Sequence, residues 1–330
     1  MTQQNIVSMS HDGRFPPSIV IGNFKVMHRP DGLYQTTKER LAHQRYQLVE
    51  TEHFLLAHPP DTDRVTLVHR FLPAEIDNNL VDCLMQELSG LMTTDQAFGH
   101  AMIGVVNSIK PHDPVGAWGI FSLNTLRRFR EYLDEPDVEY PPTTIGACAT
   151  IYRRLFLLKV GKSLLDVGCA CAFWPTLVAE RDPGGYERIV GVDNRLDAIH
   201  ISQHMAALID KQDLRFLQLD LLGTRFVEEL GTFDTVTAIH ILEHLSEEQL
   251  PLAFEHLLQV TGQRLIVAVP YEQQATVAYG HEQIFTQEKL EQWGTWCVEL
   301  LEDHGRYWCE DVAGGLLIVE RSSERQCVNH

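Results

Sequence analysis

From residue 160 onward, apolar runs and amphipathic stretches take turns along the chain. The runs at 163–167, 188–192, 214–219, 233–239 and 264–269 are short and rich in branched apolar residues, the signature of buried strands. Between them lie the helical stretches 175–181, 196–209, 246–260 and 285–297, with a short helix or turn at 226–230. Ser246 is placed to cap the helix that follows it. Strands alternating with helices predict a mostly parallel sheet covered on both faces. The last two runs, 306–310 and 315–321, flank Gly314 and Gly315 and are expected to pair antiparallel at one edge.

The first 140 residues read differently. Alternation of β-branched residues predicts a strand over 64–71. Ile76, Leu80, Leu84 and Leu88 recur every four residues, which predicts a helix over 75–88 that Gly90 ends. Thr94 and Asp95 are suited to cap a helix reaching about 109, and a third helix is expected over 121–133. Its Arg127, Arg128 and Arg130 are expected on a solvated face, with an acidic or hydroxyl-rich substrate as the alternative. The stretch 36–52 suits a short helix or a strand pair, and the first ~30 residues are read as poorly ordered. An acidic, proline-containing linker at 134–142 precedes a further helix over 143–158. This gives a mainly helical cap or accessory region over 1–140, suited to forming a homodimer, and an α/β domain over 141–330. Nothing in the first region names a chemistry.

Composition narrows the partners. A net charge of −18 opposes general nucleic-acid binding, which needs a basic face. No apolar stretch resembles a signal peptide or a membrane span, so a cytoplasmic protein with no membrane partner is expected. Seven scattered cysteines without a C-x-x-C pair argue for a reducing compartment, and against a disulfide framework or zinc site. Cys169 and Cys171 read as small filler in a turn.

That turn is the centre of the α/β domain. After the strand at 163–167 the chain runs Gly168-Cys169-Ala170-Cys171-Ala172 and then Phe173-Trp174-Pro175 into a helix. Small residues there let the backbone approach a ligand, and the helix's free N–H groups favour an anion. Asp193 ends the second strand, 25 positions after Gly168, where such folds place an acid on ribose hydroxyls. Phe173 and Trp174 are expected to be core.

The segment 166–172 resembles motif I of class I S-adenosylmethionine-dependent methyltransferases, Asp-x-Gly-x-Gly-x-Gly. Asp166 and Gly168 match, whereas Ala170 and Ala172 replace two glycines. A methyl group fits at those positions if their backbones avoid positive φ. The resemblance implies a Rossmann-like sheet with an antiparallel C-terminal edge and S-adenosylmethionine as cofactor. It assigns the cofactor to Asp166, Gly168, Ala170, Ala172, Asp193, Asn194 and His240, with Asp220 and the Leu221 amide at the adenine. Small-molecule methyltransferases carry a run similar to His240-Ile241-Leu242-Glu243-His244-Leu245 after strand four. This puts Glu243 and His244 on the substrate side, with His244 and His281 as candidate bases. A quinone-biosynthetic O-methyltransferase branch uses such residues for a divalent metal. By that resemblance His240, Glu243 and His244 are an optional metal set.

Three pieces are similar to the mycofactocin oligosaccharide methyltransferase family: Gly168 with Phe173-Trp174-Pro175, the run 240–245, and 267–272 leading to Tyr279-Gly280-His281. That likeness implies O-methylation of a glucose hydroxyl on a glycosylated, peptide-derived redox cofactor. The alternatives are a quinone or phenol O-methyltransferase with a divalent metal, and an inactive methyltransferase-like scaffold.

Overall fold

A computed structural model describes residues 6–8, 17–135, 139–211 and 214–322. The chain forms two compact units. One takes residues up to Arg128 with Thr143–Ile145 and Val277–Gly280, and the other takes most of the remainder.

The first unit holds strands β1 (Ile6–Ser8), β2 (Ser18–Ile21), β3 (Phe24–His28), β4 (Gln47–Glu50), β5 (Phe54–His58) and β6 (Val65–His69). They form one sheet in the order β1-β2-β3-β6-β5-β4, parallel only between β3 and β6. Helix α1 (Asp31–His43) follows β3. Helices α2 (Leu80–Glu87), α3 (Asp95–Ser108) and α4 (Pro114–Asp134) come after the sheet. The expectation of a mainly helical region therefore missed a six-stranded sheet. Residues 18–28 are not poorly ordered either: Ile19, Ile21, Phe24, Val26 and Met27 are core, so burial orders the hairpin. Residues 1–5 and 9–16 of that expectation lie outside the described residues.

The stretch 36–52, expected as a short helix or a strand pair, holds the end of α1 and strand β4, whose partner β5 starts beyond it. The four-residue repeat is buried at Ile76, Leu80, Leu84 and Leu88. Only part of it is helical, because the Asp77 carboxylate accepts the Asn79 N–H at 2.9 Å and holds a turn before α2. Thr94 caps α3 by accepting the Ala97 N–H at 3.0 Å. Gly104 lets α3 approach β3, since a side chain there would meet Val26 Cγ2 at 2.5 Å.

The second unit takes the end of α4, from Phe129, and most of α5 (Thr144–Leu158). Strands β7 (Ser163–Val167), β8 (Arg188–Asp193), β9 (Arg215–Gln218), β10 (Phe233–Ile239) and β11 (Thr261–Val269) follow, then β12 (Gly305–Asp311) and β13 (Gly315–Arg321). Helices α6 (Phe173–Arg181), α7 (Leu196–Leu208), α8 (Thr224–Leu230), α9 (Leu250–Gln259) and α10 (Gln287–Leu300) lie between them. The sheet runs β12-β13-β11-β10-β7-β8-β9. All neighbours are parallel except β11–β13 and β13–β12. This is the expected Rossmann-like α/β sheet with an antiparallel edge. Strands buried on both faces read as continuous apolar runs, which is why the pattern located them. Ser246 does not cap α9. The helix starts at Leu250 with Gln249 at the cap, and Pro251 occupies its first turn, where a missing N–H costs nothing.

The chain leaves β7 for β8 on one side, while β10 pairs on the other. Such a reversal of strand order opens a crevice at the carboxyl ends of the strands. No helix among the described residues is long and apolar enough to cross a membrane.

Candidate active site of the C-terminal unit

The loop after β7 is held at both ends of its turn. Asp193, the last residue of β8, accepts the Ala170 N–H at 3.0 Å through Oδ2 and the Arg195 N–H at 2.9 Å through Oδ1. Ser202 of α7 donates its hydroxyl to the Ala170 carbonyl at 2.6 Å. Gly168 sits at φ 71°, and a side chain there would strike Ile241 Cγ2 at 2.1 Å. Glycine is therefore required at 168.

Ala170 and Ala172 depart from the expected conformation. Both lie in the left-handed region, at φ 45° and 55°. The fit of the two alanines thus does not depend on avoiding positive φ, because the surrounding bonds force it. A left-handed L-residue costs about 1–2 kcal/mol, and glycine's extra unfolded-state freedom offsets about 0.5–1 of the gain from replacing it. Ala170 is exposed, so its methyl group contributes little packing. Ala170→Gly is expected to raise stability by about 0.5–1 kcal/mol, read as a higher urea midpoint. An unchanged or lower midpoint contradicts the strain.

Asp166 lies within β7, 4% exposed, and accepts the Thr237 hydroxyl at 2.8 Å. Burial lifts its carboxyl to about 7; the Thr237 bond opposes this and the Asp193 charge adds to it. The folded value exceeds the ordinary one of 3.8, so the native state holds the proton more tightly. The associated stability is full below about pH 4 and is lost as pH rises through about 7. Wild-type stability is expected to fall relative to Asp166→Asn between pH 4 and 8, by on the order of a few kcal/mol in urea unfolding. Parallel profiles for the two proteins contradict the shift.

Asn194, beside Asp193, is exposed, and its carbonyl accepts the Gln218 amide at 3.0 Å. Asp220 is exposed beyond β9, and its Oδ1 accepts the Leu222 N–H at 3.0 Å. The Leu221 carbonyl meets His256 Nδ1 at 2.6 Å, which fixes that turn on α9. Trp174 is core, 1% exposed, stacked on Tyr152 with ring centroids 5.5 Å apart. Phe173 packs on Phe129. Arg130 is not merely solvated: it pairs with Glu180 at 2.5 Å, and Arg128 lies 3.4 Å from Asp77.

Beyond β10 the chain gathers a second group. His240 takes φ 53° and points Nδ1 at Glu243 Oε1, 3.2 Å away. Glu243 is 1% exposed, and its Oε2 has no hydrogen-bond partner among the described residues. The Glu282 N–H donates to the Glu243 carbonyl at 2.8 Å. The Gln283 side chain donates to the Leu242 and Leu245 carbonyls. These bonds bring 281–283, in the loop after β11, onto 242–245. The rings of His244 and His281 then stand 5.0 Å apart and nearly perpendicular. One ligand atom each from Glu243, His244 and His281 lies within 4.8 Å of the others. The set thus contains His281 where the expected set had His240.

Sequence reading assigned no role to Glu272. Its Oε2 lies 2.7 Å from His281 Nδ1, and Thr276 also donates to it. Burial alone would raise this carboxyl, but those bonds outweigh it and hold it below the usual range. An ionised Glu272 accepts, so Nδ1 of His281 carries the proton and Nε2 the acceptor lone pair. The available signal was an acid nine residues before a histidine in one post-strand loop.

The crevice, the anchored glycine-alanine loop and the carboxylate at the end of the second strand coincide in one sheet. Residues 164–263 match the family model of a methyltransferase domain. The matched stretch runs from β7 to the start of β11. Comparison with curated proteins finds no match. Among solved structures, the chain is similar to the methyltransferase domain of bacterial CtHen1-CN, at 18% identity and TM-score 0.44, covering 53% of this chain and 99% of that one. It is also similar to magnesium protoporphyrin IX methyltransferase from Synechocystis PCC 6803 with bound SAH, at 15% identity and TM-score 0.42, covering 59% and 93%.

Proposed function

We propose that the chain is an S-adenosylmethionine-dependent O-methyltransferase acting on a hydroxyl of a small-molecule or sugar acceptor. The observation that carries this reading is the Glu272–His281 pair beside Glu243 and His244, at the carboxyl end of the sheet that also presents the loop 168–172. The domain match supports methyl transfer, and the group beyond β10 supports an acceptor that must lose a proton.

The residues fit the cofactor. Asp193 uses one lone pair per oxygen on backbone amides and keeps others for ribose hydroxyls. Asp220 and Leu221 stand at the next strand end for the adenine. When bound, the sulfonium supplies an already activated methyl group. The protein's work is to hold both partners in line and exclude water. His281, oriented by Glu272, accepts the hydroxyl proton at Nε2 as general base. The resemblance of 240–245 and 267–281 to the mycofactocin oligosaccharide methyltransferases supports a glucose hydroxyl as acceptor.

A specific observation favours a second reading. Glu243 Oε2 is buried with no hydrogen-bond partner among the described residues, and Glu243 belongs to the three-donor set with His244 and His281. That set fits a divalent metal, which would polarise a phenol or catechol hydroxyl. Transfer of labelled methyl from S-adenosylmethionine to oligoglucosides and to catechols separates the readings. Labelled oligoglucoside, unaffected by chelator, is the expected result. Catechol labelling that chelator abolishes and magnesium restores selects the metal reading. No labelling of any hydroxyl by folded protein contradicts both.

A further inference from the structure

The N-terminal unit holds a group of side chains that the reaction above does not use. Cys83 and Glu87 lie four residues apart on α2, so they leave the same helix face. His53 stands just before β5, and its Nδ1 bonds Glu87 Oε1. Its backbone N–H donates to the other Glu87 oxygen at 2.8 Å. One ligand atom each from His53, Cys83 and Glu87 lies within 4.8 Å of the others, and all three residues are half-buried. The His53 ring stacks on Phe71 with centroids 5.1 Å apart, which holds its orientation.

Charge adds an independent observation. Four carboxylates, those of Glu87, Asp82, Asp77 and Glu52, act on the Cys83 sulfur. A nucleophilic cysteine needs the opposite setting, a positive field that favours the thiolate. Those carboxylates favour a cation at the site.

We propose that His53, Cys83 and Glu87 bind a zinc ion, in a site separate from the methyltransferase domain. Imidazole nitrogen, sulfur and carboxylate oxygen together suit zinc, whereas magnesium and calcium select oxygen donors. On binding, the cation replaces the thiol proton, which passes to solvent, and it takes the place of the direct His53–Glu87 bond. No oxidation state changes. Three protein ligands leave a fourth position for water. The ion would tie α2 to the start of β5. The sequence-based expectation of no zinc site rests on the lack of a C-x-x-C pair, whereas Cys83 meets His53 across 30 residues.

The test is titration of the full, chelator-stripped chain with cobalt(II), followed by zinc. Cobalt bound to thiolate gives a sulfur-to-metal charge-transfer absorption that the Glu243, His244 and His281 group cannot produce. The expected result is one equivalent of cobalt with that absorption, displaced by zinc and absent in Cys83→Ser. His53→Ala, with native circular dichroism, is expected to bind cobalt about tenfold or more weakly. Absence of the absorption in wild type overturns the proposal, as does its survival in Cys83→Ser or unchanged affinity in His53→Ala.

Discussion

His281→Ala is expected to lower kcat by about 10²–10⁴-fold, the range that a positioned general base contributes. Cofactor binding is expected to stay unchanged, because His281 lies in the loop after β11, outside the residues assigned to the cofactor. The structure adds a finer test through Glu272. That carboxylate fixes the ring and its tautomer through a 2.7 Å contact with Nδ1. Glu272→Gln removes the charge that favours the imidazolium formed during transfer, so it should lower kcat and move the pH profile of the reaction to lower pH. A structural role alone would change stability and leave the profile in place. Rates measured from pH 5 to 9 for both variants check this. Wild-type kcat in His281→Ala contradicts the base assignment.

Asp193→Ala is expected to weaken binding of the cofactor and its demethylated product by about 100-fold or more. Hydrogen bonds to a charged group contribute about 1.5–3 kcal/mol each, and ribose offers two hydroxyls. The same change releases the Ala170 N–H and the Arg195 N–H from the Asp193 carboxylate. The loss should therefore exceed that of Asp193→Asn, which keeps one acceptor oxygen. Calorimetric titration of both variants gives the comparison. Equal affinity of wild type and Asp193→Ala would remove Asp193 from the site.

How much of this was legible in the sequence follows from burial. The strand at 233–239 is found with the same ends because its β-branched and apolar residues, Thr235 and Thr237 included, are buried on both faces. Gly168, Asp193 and Asp220 stood out in the sequence because each ends or follows a strand, where a parallel sheet opens its crevice. The first sheet was hidden for the converse reason. Its strands β1 to β3 are three to five residues long, and prolines and Gly22 punctuate that stretch as if it were loop. The pairing of Glu272 with His281, and of His53 with Cys83 and Glu87, has no periodicity to reveal it. Each depends on loops or on segments distant in sequence. The left-handed alanines are a different kind of miss, since φ at 170 and 172 is set by the bonds from Asp193, Ser202 and Cys169 rather than by their own preference.

The most direct measurement is calorimetric titration of the intact chain with S-adenosylhomocysteine. The expected result is saturable one-to-one binding that Asp193→Ala weakens and His281→Ala preserves. Absence of binding to chain with native circular dichroism would contradict the cofactor assignment and, with it, the methyl-transfer function.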